Sequence, residues 1–310
     1  MSRRAWITTV LTVIAGGFAV RFGLTFPWAH TADMLAGSDW LLLMAASLAN
    51  VLSLASKAAA WYFLLRPVAR LRLGTAQAAT FVGAAVNSIS VSVSGEAARA
   101  QFIHVRDNVG LGAAAASLVM TRIVEALGLI VFLTLAFLLA PPWPGARPIG
   151  LALGAALGVL LVGYHVVPWG RLHSRALGRW HETFIHMAAT KDRAGLVAAL
   201  VFATFGWVGQ WLTYHWSIAA THVPVTLAVS LIALVMANLV GVLRLTPGNI
   251  GVMQGSVILG MRGFDVPAAD ALAAGLALQA VEVLPVLVIG VGIVGTRGFR
   301  RLAARRSEAV

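Results

Sequence analysis

Two pairs of charged residues lie in otherwise apolar segments of the stretch 87–125. Glu96 and Arg99 are three residues apart, and Arg122 and Glu125 have the same spacing. This spacing places both members of each pair on one face of a helix. A charge at the centre of a bilayer costs at least ~2.5–3.5 kcal/mol on insertion scales. All four side chains therefore need charged partners, water or a polar ligand.

The first pair, Glu96 and Arg99, could bind an anion. An arginine can hold a phosphate through two parallel hydrogen bonds, and a helix N-terminus beside it adds backbone donors. The alternative is an ion pair that only satisfies itself. We favour an anion site that lines a cavity, because a buried ion pair is a weak source of stability.

For Arg122 and Glu125 two interpretations remain open. One is a structural salt bridge that locks this helix to the preceding helical segment through Glu96–Arg122 and Arg99–Glu125 contacts. The other is direct contact with a substrate. Both can hold in alternating states of one protein.

A second polar stretch, Thr-Pro-Gly-Asn-Ile-Gly at residues 246–251, follows Arg244 and precedes Gln254. Proline suits the first turn of a helix, and threonine or asparagine suits the cap before it. Glycine allows a backbone or ligand to approach closely. We predict a helical hairpin tip here, with a plain turn between two spans as the alternative. Across two such hairpins the expected tip residues are Asn87, Ser94, Gly95, Pro247, Gly248 and Gly251.

Two more polar residues, Gln279 and Glu282, fall within the apolar run 271–295. Glu282 has no cation within a turn of its own helix, so a partner must come from elsewhere, with Arg244 and Arg122 as candidates. Without a partner Glu282 would carry protons; a hydrogen-bonded structural carboxyl is the alternative. The predicted substrate-binding set is Glu96, Arg99, Arg122, Glu125, Arg244, Asn249, Gln254, Gln279 and Glu282.

The composition defines the class of protein that holds these residues. Charged residues are 11% of the chain and hydrophobic residues 59%, whereas soluble domains carry about 25% charged residues. The apolar runs are helix-sized, longer than the ~10-residue alternating strands of a membrane barrel. We therefore predict an all-α polytopic membrane protein.

Other features of the composition limit which ligands and reactions we expect. The net charge of +12 comes from arginines in loops beside apolar runs, where they orient the protein and contact anionic lipid rather than nucleic acid. The chain has no cysteine, and its eight histidines form no metal motif. We expect no metal, no cofactor and no enzymatic activity.

The distribution of arginines predicts the topology. A basic loop at 169–195 and a basic tail at 297–310 both belong in the cytoplasm. They reach it only if residues 74–105 and residues 226–261 form two re-entrant helical hairpins that enter from opposite faces. The segment 252–261 is also too short to cross a bilayer. The predicted spanning helices, about six in number, are 6–27, 40–65, 111–140, 149–167, 196–220 and 271–295.

An inverted repeat would explain the two opposed hairpins. One sequence offset pairs Glu96 with Gln254 and Asp107 with Asp265. Halves at roughly 40–140 and 196–296 would then form a single transmembrane domain, residues 1–310. Broken helices that meet at mid-membrane are typical of transporters, because irregular backbone at that depth must be covered by protein or water.

The order of these motifs resembles a known family. Gly-Glu-x-x-Arg at Gly95–Arg99, an alanine-rich run, Arg-x-x-Glu at Arg122–Glu125 and Pro-Gly-x-x-Gly-Val at Pro247–Val252 resemble the flippase-like transmembrane domain of lysylphosphatidylglycerol synthases. The chain resembles a stand-alone member without the aminoacyl-transferase domain. It departs from the family in lacking a proline shortly before Gly95 and in carrying Gln254 where the family has glutamate.

The resemblance implies a lipid transporter or flippase in a bacterial inner membrane, with both termini cytoplasmic. The expected cargo is a phospholipid, an aminoacylated phospholipid, a hopanoid or a polyprenyl-phosphate sugar. Expected partners are membrane lipids, a lipid-modifying or glycosyl-transferring enzyme, or further copies in an oligomer. Two other functions remain open: an intramembrane enzyme that acts on a lipid phosphate, and a scaffold that transports nothing.

Overall fold

The computed structural model describes most of the chain from Pro27 onwards. The predicted span at 6–27, apart from its last residue, lies outside the described residues. So do most of the basic loop 169–195, the side chains of the tail 297–310, and Arg244, Pro247 and Gly248. The described ranges are 27–67, 69–90, 94–139, 146–166, 192–241, 246 and 249–307.

These residues form ten α-helices and one short 3-10 helix, with no strand in the described ranges. The α-helices, in chain order, are α1 Trp28–Ala36, α2 Trp40–Leu65, α3 Leu73–Ile89, α4 Ser94–Asp107, α5 Leu111–Leu139, α6 Ala146–Val166, α7 Arg193–Ala220, α8 Leu227–Gly241, α9 Val252–Met261 and α10 Ala268–Ser307.

Four of these helices are long and apolar enough to span a membrane: α2, α5, α7 and the Ala268–Thr296 part of α10. The prediction of an all-α membrane protein is therefore confirmed. Helices α6 and α8 contain the shorter apolar segments Arg147–Val159 and Leu227–Leu239. Of the six predicted spans, four meet the length and composition of a membrane span within the described residues.

Helices α2 and α7 form an antiparallel pair with small residues along their contact. The Ser53 hydroxyl donates to the carbonyl oxygen of Gly206 at 2.6 Å, and one end of the interface brings Thr213 to Ala46. Close approach of this kind is how helices associate in lipid, where burial of apolar side chains provides little drive. The pair forms the base against which the shorter helices pack.

Helices α3 and α4 form an antiparallel hairpin. At its open end the Thr75 hydroxyl donates to Asp107 at 3.3 Å. At its closed end the Asn87 side-chain oxygen accepts the N–H of Gly95 at 2.9 Å. The 17 residues of α3 rise only about 25 Å, which is less than the ~30 Å hydrocarbon core of a bilayer.

Helices α8 and α9 form a second short pair, in which Gly260 faces Ala233. Helix α9 has the predicted bounds and is 10 residues long. Its cap differs from the prediction: Gly251 stands at the N-cap with φ +83, and its N–H donates to the Gln254 side chain at 2.7 Å. A positive φ suits glycine, so Gly251 takes the position that we assigned to Thr246 or Asn249.

One prediction about element bounds was wrong. The segment 27–39 between the first two predicted spans was predicted as a loop, but residues 28–36 form α1, which is held on α10 by a 2.9 Å contact between His30 and Asp270. The contact joins distant segments, which local sequence does not reveal. The last predicted span, 271–295, agrees with the Ala268–Thr296 part of α10, and the helix itself continues to Ser307 with Pro285 inside it.

The contact between α5 and α7 gives a test of this packing. A Cβ on Gly128 would lie 2.9 Å from the Cβ of Ala203 and 3.0 Å from its carbonyl carbon. We expect Gly128→Leu to destabilise the protein by roughly 1–3 kcal/mol through overpacking. Gly158 on α6 has no atom within 4 Å of such a Cβ, so Gly158→Leu is the matched control. Equal thermal unfolding midpoints of the two variants in detergent would contradict this packing.

Candidate functional site

The hairpin of α3 and α4 positions the first charged pair. A Cβ on Gly83 would overlap the Arg99 side chain and would lie 2.7 Å from the Gly95 carbonyl oxygen. Glycine at position 83 therefore lets α4 lie directly on α3. This close approach brings Arg99 into the interior, where only 7% of its surface is exposed.

Protein groups contact the Arg99 guanidinium on two sides. The group lies over the Trp61 ring at 4.4 Å, and Nη1 donates to Glu96 at 3.3 Å. Its Nε and Nη2 atoms are buried and have no hydrogen-bond partner among the described residues. A buried charged donor without a partner is costly, so this geometry fits a cation that holds an anion at its unpartnered edge.

Arg122 links the two predicted pairs. Its Nη1 donates to Glu125 at 2.8 Å, and its Nη2 contacts Glu96 on α4. The predicted Glu96–Arg122 ion pair is thus confirmed, whereas no Arg99–Glu125 ion pair is found in the described ranges. The Arg122 side chain is 53% exposed while Glu96 is 18% and Glu125 is 11% exposed, so Arg122 lies at the rim of the site.

Two tryptophans beside the site donate hydrogen bonds to helix α5. The Trp61 indole N–H donates to Ser117 of α5 at 2.8 Å. The Trp207 indole N–H donates to the backbone oxygen of Glu125 at 2.7 Å. A buried indole needs an acceptor for its N–H. Here the acceptor belongs to Glu125, which also binds Arg122, so the hydrogen bond connects α7 to the site.

Lys57 is a functional candidate that the sequence interpretation missed. Its Nζ donates to the Gln210 side chain on α7 at 2.5 Å and lies 4.7 Å from the Trp207 ring centre. Its charge interacts with those of Glu125, Arg122, Glu282 and Arg99. A lone lysine inside a 26-residue apolar helix was the signal available, because an ionisable group within a span usually has a function.

Glu282 belongs to the same set of charges. Among the described residues the cation whose charge acts on Glu282 is Lys57, rather than Arg122, and Arg244 lies outside those residues. The Asn50 side chain donates to the backbone oxygen of Glu282 at 3.2 Å, which fixes α10 against α2. We call the interacting set the charge cluster; its members are Lys57, Glu96, Arg99, Arg122, Glu125 and Glu282.

The predicted residues of the second hairpin have local roles. Gln254 is buried at 4% exposure, faces Gly275 of α10, and binds the backbone at the start of α9. Asn249 has φ +56, and its N–H donates to the Thr246 carbonyl at 3.1 Å. Within the described ranges, no hydrogen bond or ion pair joins Gln254 to the charge cluster.

Gln279 lies half-buried on α10, one turn before Glu282. The remaining predicted tip residues, Asn87, Ser94 and Gly95, do meet at the closed end of the α3–α4 hairpin. Ser94 begins α4, and Gly95 contacts Asn87. The structure thus places the first predicted tip beside Arg99.

Comparison with known proteins identifies the family. The profile of the lysylphosphatidylglycerol synthase transmembrane region matches residues 6–290, and the chain belongs to this family. No curated protein sequence matches the chain significantly.

The shared contacts of Arg122 can be tested by charge removal. Arg122→Gln leaves Glu96 and Glu125 without their common cation. Breaking a fully buried pair costs roughly 3–5 kcal/mol, and we expect ~2 kcal/mol here because Arg122 is half-exposed. The double change Glu96→Gln/Arg122→Gln should recover part of the lost stability, since it also removes one carboxylate.

The matched control for this test is Arg147→Gln. Arg147 is exposed in the first turn of α6, away from the charge cluster. Thermal unfolding in detergent measures all three variants. If Arg122→Gln unfolds at the same temperature as Arg147→Gln, the ion pairs of Arg122 do not hold α4 to α5.

Proposed function

We propose that this protein transports an amphipathic lipid with an anionic headgroup between the two leaflets of a bacterial inner membrane. Membership of a family named for a lipid synthase supports a lipid as the ligand. The four helices of membrane-spanning length and composition support a location within the bilayer. In this proposal both termini face the cytoplasm, and the partners are membrane lipids.

The observation that carries the proposal is the unpartnered edge of Arg99. Two donor nitrogens of a buried guanidinium have no partner among the described residues, while its third nitrogen donates to Glu96. A phosphate accepts two parallel hydrogen bonds from such an edge. The Trp61 ring lies 4.4 Å from the guanidinium carbon and offers it a cation–π contact rather than a hydrogen-bond acceptor.

Arg122 supports a path to this site. It lies at the rim with 53% of its side chain exposed, where it can meet a headgroup before Arg99 does. Glu96 contacts both arginines, so the rim arginine and the buried arginine belong to one connected set of charges.

The short helices support re-entrant hairpins in this proposal. Helices α3 and α4 pair with each other, as do α8 and α9, and within the described residues each is shorter than the ~20 residues of a spanning helix. In each half a long helix is followed by two short helices and another long one. This order supports an inverted repeat, the arrangement in which broken helices of transporters meet near mid-membrane.

Headgroup exchange in liposomes tests the proposal. Fluorescent phosphatidylglycerol in the outer leaflet is bleached by dithionite, and transport appears as bleaching of the inner pool. We expect Arg99→Gln to lower the rate by ~10-fold or more, since hydrogen bonds to a charged group contribute about 1.5–3 kcal/mol. The rate of Arg99→Lys should lie between those of the wild type and Arg99→Gln, because lysine keeps the charge but cannot donate two parallel hydrogen bonds.

Arg106→Gln is the control, because Arg106 is exposed near the far end of the same helix and should leave the rate unchanged. A wild-type protein that moves no anionic lipid would favour a scaffold. A wild-type protein that alters the lipid chemically would favour an intramembrane enzyme. Equal rates in Arg99→Gln and wild type would remove Arg99 from the transport path.

A further inference from the structure

The charge cluster is electrically balanced without a ligand. It contains three cations, Lys57, Arg99 and Arg122, and three carboxyl groups, Glu96, Glu125 and Glu282. Electrostatic interactions link them across four helices, α2, α4, α5 and α10. Arg99 and Glu125 are buried, and the other members are half-buried or, for Arg122, half-exposed. An unpaired charge costs most among the buried members.

Binding of an anionic headgroup breaks this balance. One negative charge at the unpartnered edge of Arg99 leaves the cluster with an excess of one carboxylate. An uncompensated charge beside buried groups is unfavourable. One positive charge that enters with each monovalent headgroup restores the balance, and a proton on one of the three carboxyl groups is the smallest such charge.

The ion pairs select the carboxyl group that takes the proton. Glu96 and Glu125 both bind Arg122, and Glu96 also binds Arg99. Glu282 forms no ion pair within 4.0 Å in the part of the chain that the structure describes. Lys57, the cation that acts on Glu282, donates instead to Gln210 of α7.

The helices around Glu282 carry few other groups that could take the proton. On α2 the charge of Lys57 acts on Glu282, and on α7 the charge of Glu282 acts on Tyr214. His215 of α7 bonds to Ser230 of α8 instead. Helices α3 and α9 carry no titratable residue. The α1 residues His30 and Asp33 belong to the other end of α10, where His30 binds Asp270.

Lys57 provides the link between headgroup and proton. It lies one helical turn from Trp61, the residue under Arg99, and its charge interacts with both Arg99 and Glu282. An anion at Arg99 and a proton at Glu282 therefore act on the same lysine from two sides. This coupling needs no direct contact between the two sites.

We propose that Glu282 is a proton-binding site that loads together with one anionic lipid headgroup, so that the protein is a proton–lipid symporter. This inference rests on the transport function proposed above. One proton and one lipid anion enter from one leaflet and leave at the other. The net charge that crosses the membrane is zero in each cycle.

The test separates a pH gradient from a voltage in liposomes that contain the whole protein and fluorescent phosphatidylglycerol. With the voltage clamped at zero by potassium and valinomycin, a gradient of one pH unit should enrich the lipid about tenfold in the alkaline-side leaflet at equilibrium. A voltage without a pH gradient should produce no enrichment. In Glu282→Gln the pH gradient should have no effect on the distribution.

Asp265→Asn serves as the matched control. It removes a carboxyl group outside the long helices, at a position with φ +57 that asparagine also tolerates. This variant should accumulate lipid as the wild type does. Exchange that follows voltage and ignores the pH gradient would overturn the symport, whereas the absence of wild-type exchange under every condition would contradict the transport function itself.

A binding measurement covers the case in which Glu282→Gln folds but does not transport. Dioctanoyl phosphatidylglycerol is added to purified protein in weakly buffered detergent, and a pH indicator reports proton uptake. We expect the wild type to take up about one proton for each lipid bound and Glu282→Gln to bind the lipid without uptake. Equal uptake by both proteins would place the proton elsewhere and refute the assignment.

Discussion

The structure depends on the need to compensate charge inside an apolar bundle. Arg122 meets this need for two carboxylates at once, one on its own helix and one on the α4 half of the first hairpin. Its contacts join a short hairpin to a long helix through side chains rather than backbone. Because Glu96 is shared between Arg122 and Arg99, loss of one contact alters every other.

Close backbone packing determines where these charges lie. Gly83 allows α4 to lie on α3 so that Arg99 points inward over Trp61. The small residues between α2 and α7 place Lys57 beside Gln210. The unpartnered edge of the arginine is a consequence of this packing, because among the described residues protein acceptors satisfy only one side of the guanidinium.

Signals within one segment of the sequence predicted much of the fold, whereas features that depend on contacts between distant segments could not be predicted. Helix α2 begins where predicted because Asp39 caps it, accepting the N–H of Leu41 at 2.9 Å. The spacing of Glu96 and Arg99 also predicted their pairing, since both lie on one helix. Sequence could not place Lys57 in the site, because its partners come from other helices. Helix α1 was missed for the same reason: its anchor is on α10.

The most direct test of this account is an experimental structure of the protein in nanodiscs made of phosphatidylglycerol. The account predicts a phosphate density about 3 Å from Nε and Nη2 of Arg99, with Trp61 still beneath the guanidinium. Acceptors from the protein itself on both nitrogens, with no lipid between α4 and α5, would contradict the account. In that case Arg99 would be part of a closed structural network.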